Sequence, residues 1–299
     1  MTSGSGGGAA NLVPKIDGDF WTIAGEPDLG ALDAPGQQPV DFGIWQAADG
    51  TWQLWSCIRY TAEPGDTRLF YHWEGQALTD TDWAPQGIAM HADPTLGETQ
   101  GGLQAPYVFR VGSTFHMFFG DIEHIDHQTS SDGKTFTRVI QPDGGDAMFS
   151  EGPGNGTRDP MVLPLGDTYY TYYTASPGGV GADFVRTSKD LAAWSASTLV
   201  ASGGAAGTGV SSAECPFVVQ VQGAFYLFRT QHYGTGAETR VYRSLDPLDF
   251  GIDDDSHLVE VLPVAAPEVF EQGGQWYIAA LLPSLQGIQI ARLAWTPKG

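Results

Sequence analysis

Thr157-Arg158-Asp159-Pro160-Met161-Val162-Leu163-Pro164-Leu165-Gly166-Asp167-Thr168-Tyr169-Tyr170-Thr171-Tyr172-Tyr173-Thr174-Ala175 is the stretch whose reading decides the fold. Met161 to Leu165 and Tyr169 to Thr174 read as two short strands, mixing β-branched and aromatic residues around a Gly-Asp turn. Pro160 holds the chain extended and cannot donate into a ladder, so it suits the first position of a strand. Arg158 and Asp159 therefore stand at the strand's mouth, where a charged pair is open to a ligand.

The same pattern is written five times. Val40-Asp41-Phe42-Gly43-Ile44-Trp45 leads through Asp49-Gly50 into Thr51-Trp52-Gln53-Leu54-Trp55, and Gln104-Ala105-Pro106-Tyr107-Val108-Phe109 leads through Gly112 into Phe115-His116-Met117-Phe118-Phe119. Glu214-Cys215-Pro216-Phe217-Val218 is followed by Gln222-Gly223 and Phe225-Tyr226-Leu227-Phe228, and Ala266-Pro267-Glu268-Val269-Phe270 by Gly273-Gly274 and Trp276-Tyr277-Ile278-Ala279. Aligned on Asp41, Ala105, Asp159, Glu214 and Ala266, the repeats are spaced by 64, 54, 55 and 52 residues. Multi-strand repeats of roughly this length specify a β-propeller with one blade per repeat. The expected class is all-β, a five-bladed β-propeller.

A ring of blades can absorb 299 residues as one unit, and no Pro/Ser-rich linker divides the sequence. Residues 1–10 read as a flexible tail and residues 11–299 as a single propeller. Forty glycines and 19 prolines fit many short strands and turns, and 41% hydrophobic residues can fill a large core. Phe20 to Ala24 is the strand-like piece before the first repeat and is expected to add an outer strand to the last blade, closing the ring. Leu69 to Trp73, His127 to Gly133, Val185 to Leu191, Arg240 to Pro247 and Ile288 to Arg292 are the further strands of the five blades, with Leu78 to Trp83 beyond the first of them. A helical turn is expected near Leu191 to Trp194. The recurring Ser-x-Asp after a strand is a turn device, its short side chains bonding nearby backbone.

The formal charge of −21 argues against nucleic acid or an anionic membrane as partner, since both demand a basic face, and it suits a neutral substrate. No run of about 18 apolar residues occurs. Met1 to Gly8 lacks the basic and apolar regions of a signal peptide, so the sequence as written reads as cytoplasmic, or as secreted or periplasmic if a leader has been trimmed. Two cysteines, Cys57 and Cys215, fall in strands of different blades and are expected to be free, buried thiols. His124, Asp126 and His127 form a metal-like cluster that reads more simply as an exposed polar turn, and no metal ligands are assigned.

In a propeller the innermost strand of each blade starts at one end of the central channel, so equivalent residues of the repeats share one funnel. Asp41, Asp159 and Glu214 bring three carboxylates to it, with Ala105 and Ala266 between them. Like charges at close range destabilise a fold unless something offsets them. A strand-capping role could explain one such residue; three at one phase call for chemistry. Glycosidic bond hydrolysis uses such a set: an acid for the leaving oxygen, a carboxylate that attacks the anomeric carbon or activates water, and a third that holds hydroxyls and tunes the acid.

Arg158-Asp159-Pro160 and Glu214-Cys215-Pro216 resemble the RDP and EC motifs of glycoside hydrolase family 32, and Gln104-Ala105-Pro106 is similar to the Trp-Ala-Pro that opens a blade in family 43. The resemblance spans residues 35–296. It implies a glycosidase acting on furanosidic or related linkages, arabinose-type slightly ahead of fructose-type, with an oligo- or polysaccharide as partner. Asp41 would be the nucleophile in a family 32 scheme and the general base in a family 43 scheme, Asp159 the transition-state stabiliser and Glu214 the general acid. Gln38-Pro39-Val40-Asp41-Phe42-Gly43 departs from the Trp-x-Asn-Asp-Pro of family 32, and this favours inversion. Supporting substrate-binding candidates are Trp45 and Trp55 as stacking walls, with Arg59, Gln104, Asp121, Arg158, Gln231 and His232. The resemblance implies no required cofactor, although family 43 members often hold an axial calcium or sodium ion. A glycoside phosphorylase, using Arg59, Arg158 and Arg229, and a sugar-binding propeller without catalysis are the alternatives.

Overall fold

A computed structural model describes residues 11–298; the expected tail at residues 1–10 lies outside the described residues, as does Gly299. The chain begins with a long strand, β1 (Leu12–Gly25), and then builds four sheets in sequence. Blade I is β2 (Gln38–Gln46), β3 (Trp52–Arg59), β4 (Leu69–Gly75) and β5 (Ala84–Met90). Blade II is β6 (Gln104–Val111), β7 (Thr114–Gly120) and β8 (Ile125–Ser130), which pairs with both the two-residue β9 (Thr137–Arg138) and β10 (Ala147–Phe149). Blade III is β11 (Arg158–Leu165), β12 (Thr168–Ala175), β13 (Ala182–Ser188) and β14 (Thr198–Ser202). Blade IV is β15 (Glu214–Val221), β16 (Ala224–His232), β17 (Glu238–Ser244) and β18 (Leu258–Leu262).

The fifth blade is shared between the chain's two halves. β19 (Glu268–Gln272), β20 (Gln275–Leu281) and β21 (Gly287–Pro297) are completed by β1, which runs antiparallel to β21 from Leu12 opposite Pro297 to Gly25 opposite Gly287. The outer strand expected from Phe20 to Ala24 is thus present and longer than the sequence pattern showed. The inner strands β2, β6, β11, β15 and β19 of successive blades touch around the axis, and β2 meets β20 and β21 to complete the circle. Between the blades lies the core, in which Tyr172, Tyr173, Tyr226, Tyr242, Phe70 and Phe118 are fully buried.

Three outer features differ from expectation. The fourth strand of blade I is Ala84–Met90, whereas Leu78 to Trp83 forms the turn before it, with Trp83 Nε1 donating to the Asp80 carbonyl at 3.1 Å. Leu191 to Trp194 is a bend and no helix; the described helical elements are five three-residue 3₁₀ turns. The bend is explained by the Ser-x-Asp device: Asp190 accepts from the Ala192 and Ala193 amides, both at 2.9 Å, in place of a helical ladder. The same motif turns the chain at Ser130-Ser131-Asp132 and Ser244-Leu245-Asp246, with Ser130 Oγ donating to Asp132 at 2.7 Å and the Leu248 amide to Asp246 at 2.9 Å. Third, His124, Asp126 and His127 are not an exposed turn. Asp126 and His127 lie buried on β8, and the His127 ring stacks on His116.

Close approach of inner strands leaves no space at Gly43 on β2, where an added β-carbon would fall inside the van der Waals envelope of the Pro106 carbonyl on β6. Gly43→Ala should therefore lower stability by about 1–3 kcal/mol through backbone displacement between blades I and II. Gly236→Ala, at a glycine with ordinary φ and open space, is the control, and chemical denaturation midpoints of the two variants should separate accordingly.

Candidate active site

Each inner strand opens on the same local distortion. Asp41, Ala105, Asp159, Cys215 and Ala266 all take positive φ, at 39°, 44°, 57°, 49° and 48°. In blades I to IV the pairing of inner strand with its neighbour shifts at this point, the mark of a β-bulge. Four of the five residues precede proline, which disfavours right-handed helical backbone before it. A left-handed conformation at a non-glycine residue costs roughly 1–2 kcal/mol, so the ring is a costly feature repeated around the axis.

This geometry corrects the repeat phase. The residue of blade IV equivalent to Asp41 and Asp159 is Cys215, and Glu214 stands one step earlier, in phase with Val40, Gln104 and Arg158. Successive strand residues normally face opposite sides of a sheet. At the bulge, two successive residues reach the same space: Val40 with Asp41, and Arg158 with Asp159. Glu214 consequently still enters the funnel, by a different position of the repeat.

The funnel is a cavity of about 480 Å³ whose walls include Asp41, Asp159, Glu214, Arg59, Arg68, Arg158, Gln104 and Tyr233. That volume lies in the range of small-ligand sites. Beneath it on the axis is a second cavity of about 30 Å³, walled by Pro106, Pro160, Pro216 and Pro267 with Cys215 and Glu268, which holds roughly two waters. Among the described residues no three His, Cys, Asp or Glu side chains are grouped to hold a metal ion. The carboxyl groups that line the lower cavity are Asp41, Asp159 and Glu268, and no step below uses an ion there.

The charged groups are tied into one network. Arg158 Nη2 donates to Glu214 Oε1 at 2.8 Å, its Nε lies 3.8 Å from Asp159 Oδ2, and Nη1 donates to the Gly156 carbonyl at 2.7 Å. Asp159 Oδ2 accepts from the Cys215 amide at 3.1 Å. Asp41 Oδ1 accepts from the Cys215 thiol at 3.3 Å and the Tyr233 hydroxyl at 3.4 Å, and these two donors lie 3.2 Å apart. Burial and then the charge of Glu214 raise the Asp41 carboxyl above its ordinary value, with Arg59 and Arg68 partly offsetting them. Burial and the Asp41 charge push Asp159 up to about 7 against the pull of Arg158. For Arg158, burial opposes its charge, but Asp159 and Glu214 outweigh it and hold the guanidinium firmly protonated. Burial, reinforced by the surrounding carboxylates, keeps the Cys215 thiol and the Tyr233 hydroxyl in their neutral, donating forms.

Of the residues singled out from sequence, Asp41, Asp159, Glu214, Arg59, Gln104 and Arg158 meet in the funnel. The others do not. Trp45 and Trp55 pack with Phe136 between blades I and II, at ring separations of 5.9 and 5.5 Å, as buried core. Asp121 is fully buried and accepts from the backbone amides of Thr99 and His124 at 2.8 and 2.6 Å, fixing a turn. Gln231 is held by Glu238 and Arg240, and His232 is exposed at the end of β16. Arg229 is sealed in blade IV over the Tyr242 ring, donating to the Gly203 carbonyl at 2.8 Å. Cys57 is buried as expected, and Cys215 is only partly so because it faces the axis. Arg68 and Tyr233 were not foreseen. Arg68 could have been found by running the antiparallel register of β3 and β4 one step past Ile58 and Leu69, which sets it opposite Arg59.

These features define a five-bladed β-propeller with an acidic cluster at one end of its axis. No family model matches the sequence, and no curated protein matches it. Among solved structures, the chain is similar to a thermostable family-43 glycoside hydrolase, with a TM-score of 0.64, 17% identity and coverage of 89% of this chain and 95% of the other. It is similar to the RS223 β-xylosidase, with a TM-score of 0.64, 14% identity and coverage of 90% and 96%. A third likeness is to an endo-arabinase from Bacteroides thetaiotaomicron, with a TM-score of 0.63, 14% identity and coverage of 90% and 97%. At these identities the likeness is one of fold.

The raised Asp159 carboxyl has a thermodynamic consequence of definite sign. A carboxyl at about 7 in the folded protein and about 3.9 in the unfolded chain binds more proton when folded, so its contribution to stability is lost as pH rises between those values. Asp159→Asn should match the wild type near pH 4 and exceed it by on the order of a few kcal/mol at pH 8. Urea unfolding at both pH values would show a pH-independent difference if Asp159 were in fact ionised throughout.

Proposed function

We propose that this chain is a glycoside hydrolase whose catalytic groups are Asp41, Glu214 and Asp159. The observation that carries this is the convergence of these three carboxyl groups on one cavity of about 480 Å³ at one end of the propeller axis. The solved structures of similar fold support it, since those described above are named as a glycoside hydrolase, a xylosidase and an arabinase. Arabinose-type furanosidic linkages are the finer assignment, on the strength of the sequence motifs and the arabinase likeness.

Asp41 suits the part of base. Its raised carboxyl is more basic than an exposed aspartate, and two neutral donors, the Cys215 thiol and Tyr233 hydroxyl, fix its orientation without neutralising it. In the inverting scheme, Asp41 takes a proton from water as the water oxygen bonds to the anomeric carbon. The glycosidic C–O bond breaks on the opposite face, and Glu214 gives its proton to the departing oxygen. Asp159, held by the Cys215 amide, supplies a third carboxyl facing the sugar, with Arg158 bridging it to Glu214. Proton delivery requires that Arg158 re-aim away from Glu214 when substrate enters.

Kinetics on two substrate classes test the roles. Proton donation typically contributes about 10²- to 10⁴-fold and matters only where the leaving group needs a proton. Glu214→Ala should lose about that much on an arabino-oligosaccharide yet keep most of the first chemical step on 4-nitrophenyl α-L-arabinofuranoside. Asp41→Ala should fail on both. Equal losses for Glu214→Ala on the two substrates, with Asp41→Ala sparing the aryl glycoside, would reverse the assignment.

A further inference from the structure

The funnel's charge balance differs sharply from that of the whole chain. Lys and Arg number 14 against 35 Asp and Glu, yet the funnel wall carries three arginines, Arg59, Arg68 and Arg158, against three carboxyl groups. Among the described residues only Arg158 makes ion pairs with them, to Glu214 and Asp159, while Arg59 and Arg68 act on Asp41 without contact. Arg59 is instead held by a neutral group: its Nε and Nη2 donate to Gln38 Oε1 at 3.0 and 2.7 Å, and its guanidinium lies 4.9 Å from the centre of the Tyr60 ring. It is fixed in place with its charge intact. The Arg68 side chain has no hydrogen bond or ion pair among the described residues, although it lines the same cavity and its charge is felt by Asp41.

Arg59 ends β3, and Arg68 stands immediately before β4. The register that pairs Ile58 with Leu69 sets Arg59 opposite Arg68 one step further on. Like charges facing each other across a strand pair are destabilising. Here Asp41 is the carboxyl group that feels both charges, yet among the described residues neither arginine makes an ion pair with it. A pair of planar guanidinium forks, one braced and one open, is the arrangement that grips an oxyanion through two donors at a time. With the Asp159 carboxyl at about 7, the funnel is close to neutral or positive at physiological pH, and the repulsion expected from the acidic surface is screened beyond about 8 Å.

We infer that the funnel takes a ligand bearing an oxyanion, gripped by Arg59 and Arg68: a carboxylate on a uronic-acid glycan, or free phosphate acting beside the sugar. The inference rests on the glycosidase function for its setting but is tested by binding, so the two can fail separately. Long-range attraction does not bring this ligand in; the local pair selects it once it arrives.

The test is calorimetric titration of wild type, Arg68→Gln and Arg68→Lys with glucuronate, galacturonate, glucose, galactose and inorganic phosphate at physiological ionic strength. Wild type should bind at least one of the oxyanions about tenfold or more tightly than the neutral sugars. The preference should fall about tenfold in Arg68→Gln, as expected for loss of a charge-assisted contact, and be partly kept in Arg68→Lys. A uronate preference assigns the oxyanion to the glycan. Phosphate binding, with a sugar 1-phosphate formed when glycan and phosphate are both supplied, assigns it to the acceptor and replaces hydrolysis by phosphorolysis. Equal binding of oxyanions and neutral sugars by wild type, or an oxyanion preference unchanged in Arg68→Gln, overturns the inference. Turnover of neutral aryl glycosides by that same wild type would leave the hydrolase function standing, whereas Arg68-dependent oxyanion binding without any glycoside cleavage would leave only the binding site.

Discussion

Everything in this molecule depends on five residues forced into left-handed backbone around the propeller axis. A strand that ran straight would alternate its side chains and give the central channel one residue per blade. The bulge breaks that alternation and lets β2 and β11 each offer two consecutive residues to the same end. That is how Arg158 and Asp159 can both face a ligand, and how the amide of Cys215 can hold Asp159 while its thiol holds Asp41. The strain is tolerated because the surrounding ladders and packed blades determine the backbone on both sides. Proline after the distorted residue gives up no hydrogen bond there and stiffens the exit.

Buried carboxylates crowded together would normally weaken a fold, and the site shows how the crowding is managed. One proton is retained near neutrality, on Asp159. One cation, Arg158, is shared between the Asp159 and Glu214 carboxyl groups that flank it, and also donates to the loop carbonyls of Gly156 and Val210. Asp41 is held by groups that donate without carrying charge. The result is a set of carboxyl groups in different electrostatic surroundings.

The fold was legible from sequence because a propeller repeats its evidence: one hairpin motif, seen five times, needs no long-range information to be recognised. Closure of the ring by the first strand was legible for the same reason, since a fifth blade short of a strand needs one. The outer strands were less so. Leu78 to Trp83 looks like a strand and is a turn, because exposed edge positions carry a weak periodic signal. In the site, Asp41, Asp159 and Glu214 were found by motif, but the phase of Glu214 was misplaced by one residue. The prolines at positions 106, 160, 216 and 267 would have given the true alignment. Trp45 and Trp55 misled, because a tryptophan near a blade's start serves inter-blade packing as readily as a sugar face. Arg68 and Tyr233 carry no motif; their place follows from register and loop course, which only coordinates display.

The composite fifth blade ties residues near the two ends of the chain into one sheet, with Leu12 opposite Pro297. During synthesis the edge of β1 that pairs with β21 stays unpaired until β21 has been made. Bringing its partners together across 285 residues would cost an unstructured chain about 5 kcal/mol in closure entropy, a sum that prior assembly of the four intervening blades would lower. The pairing of β1 with β21 thus acts as a clasp that holds the fifth blade together across the chain. The clasp also means that the backbone's starting point is arbitrary with respect to the architecture. A circularly permuted chain, opened between two other blades and joined across β1 and β21, would carry the same funnel with an uninterrupted fifth blade and the weak seam moved elsewhere.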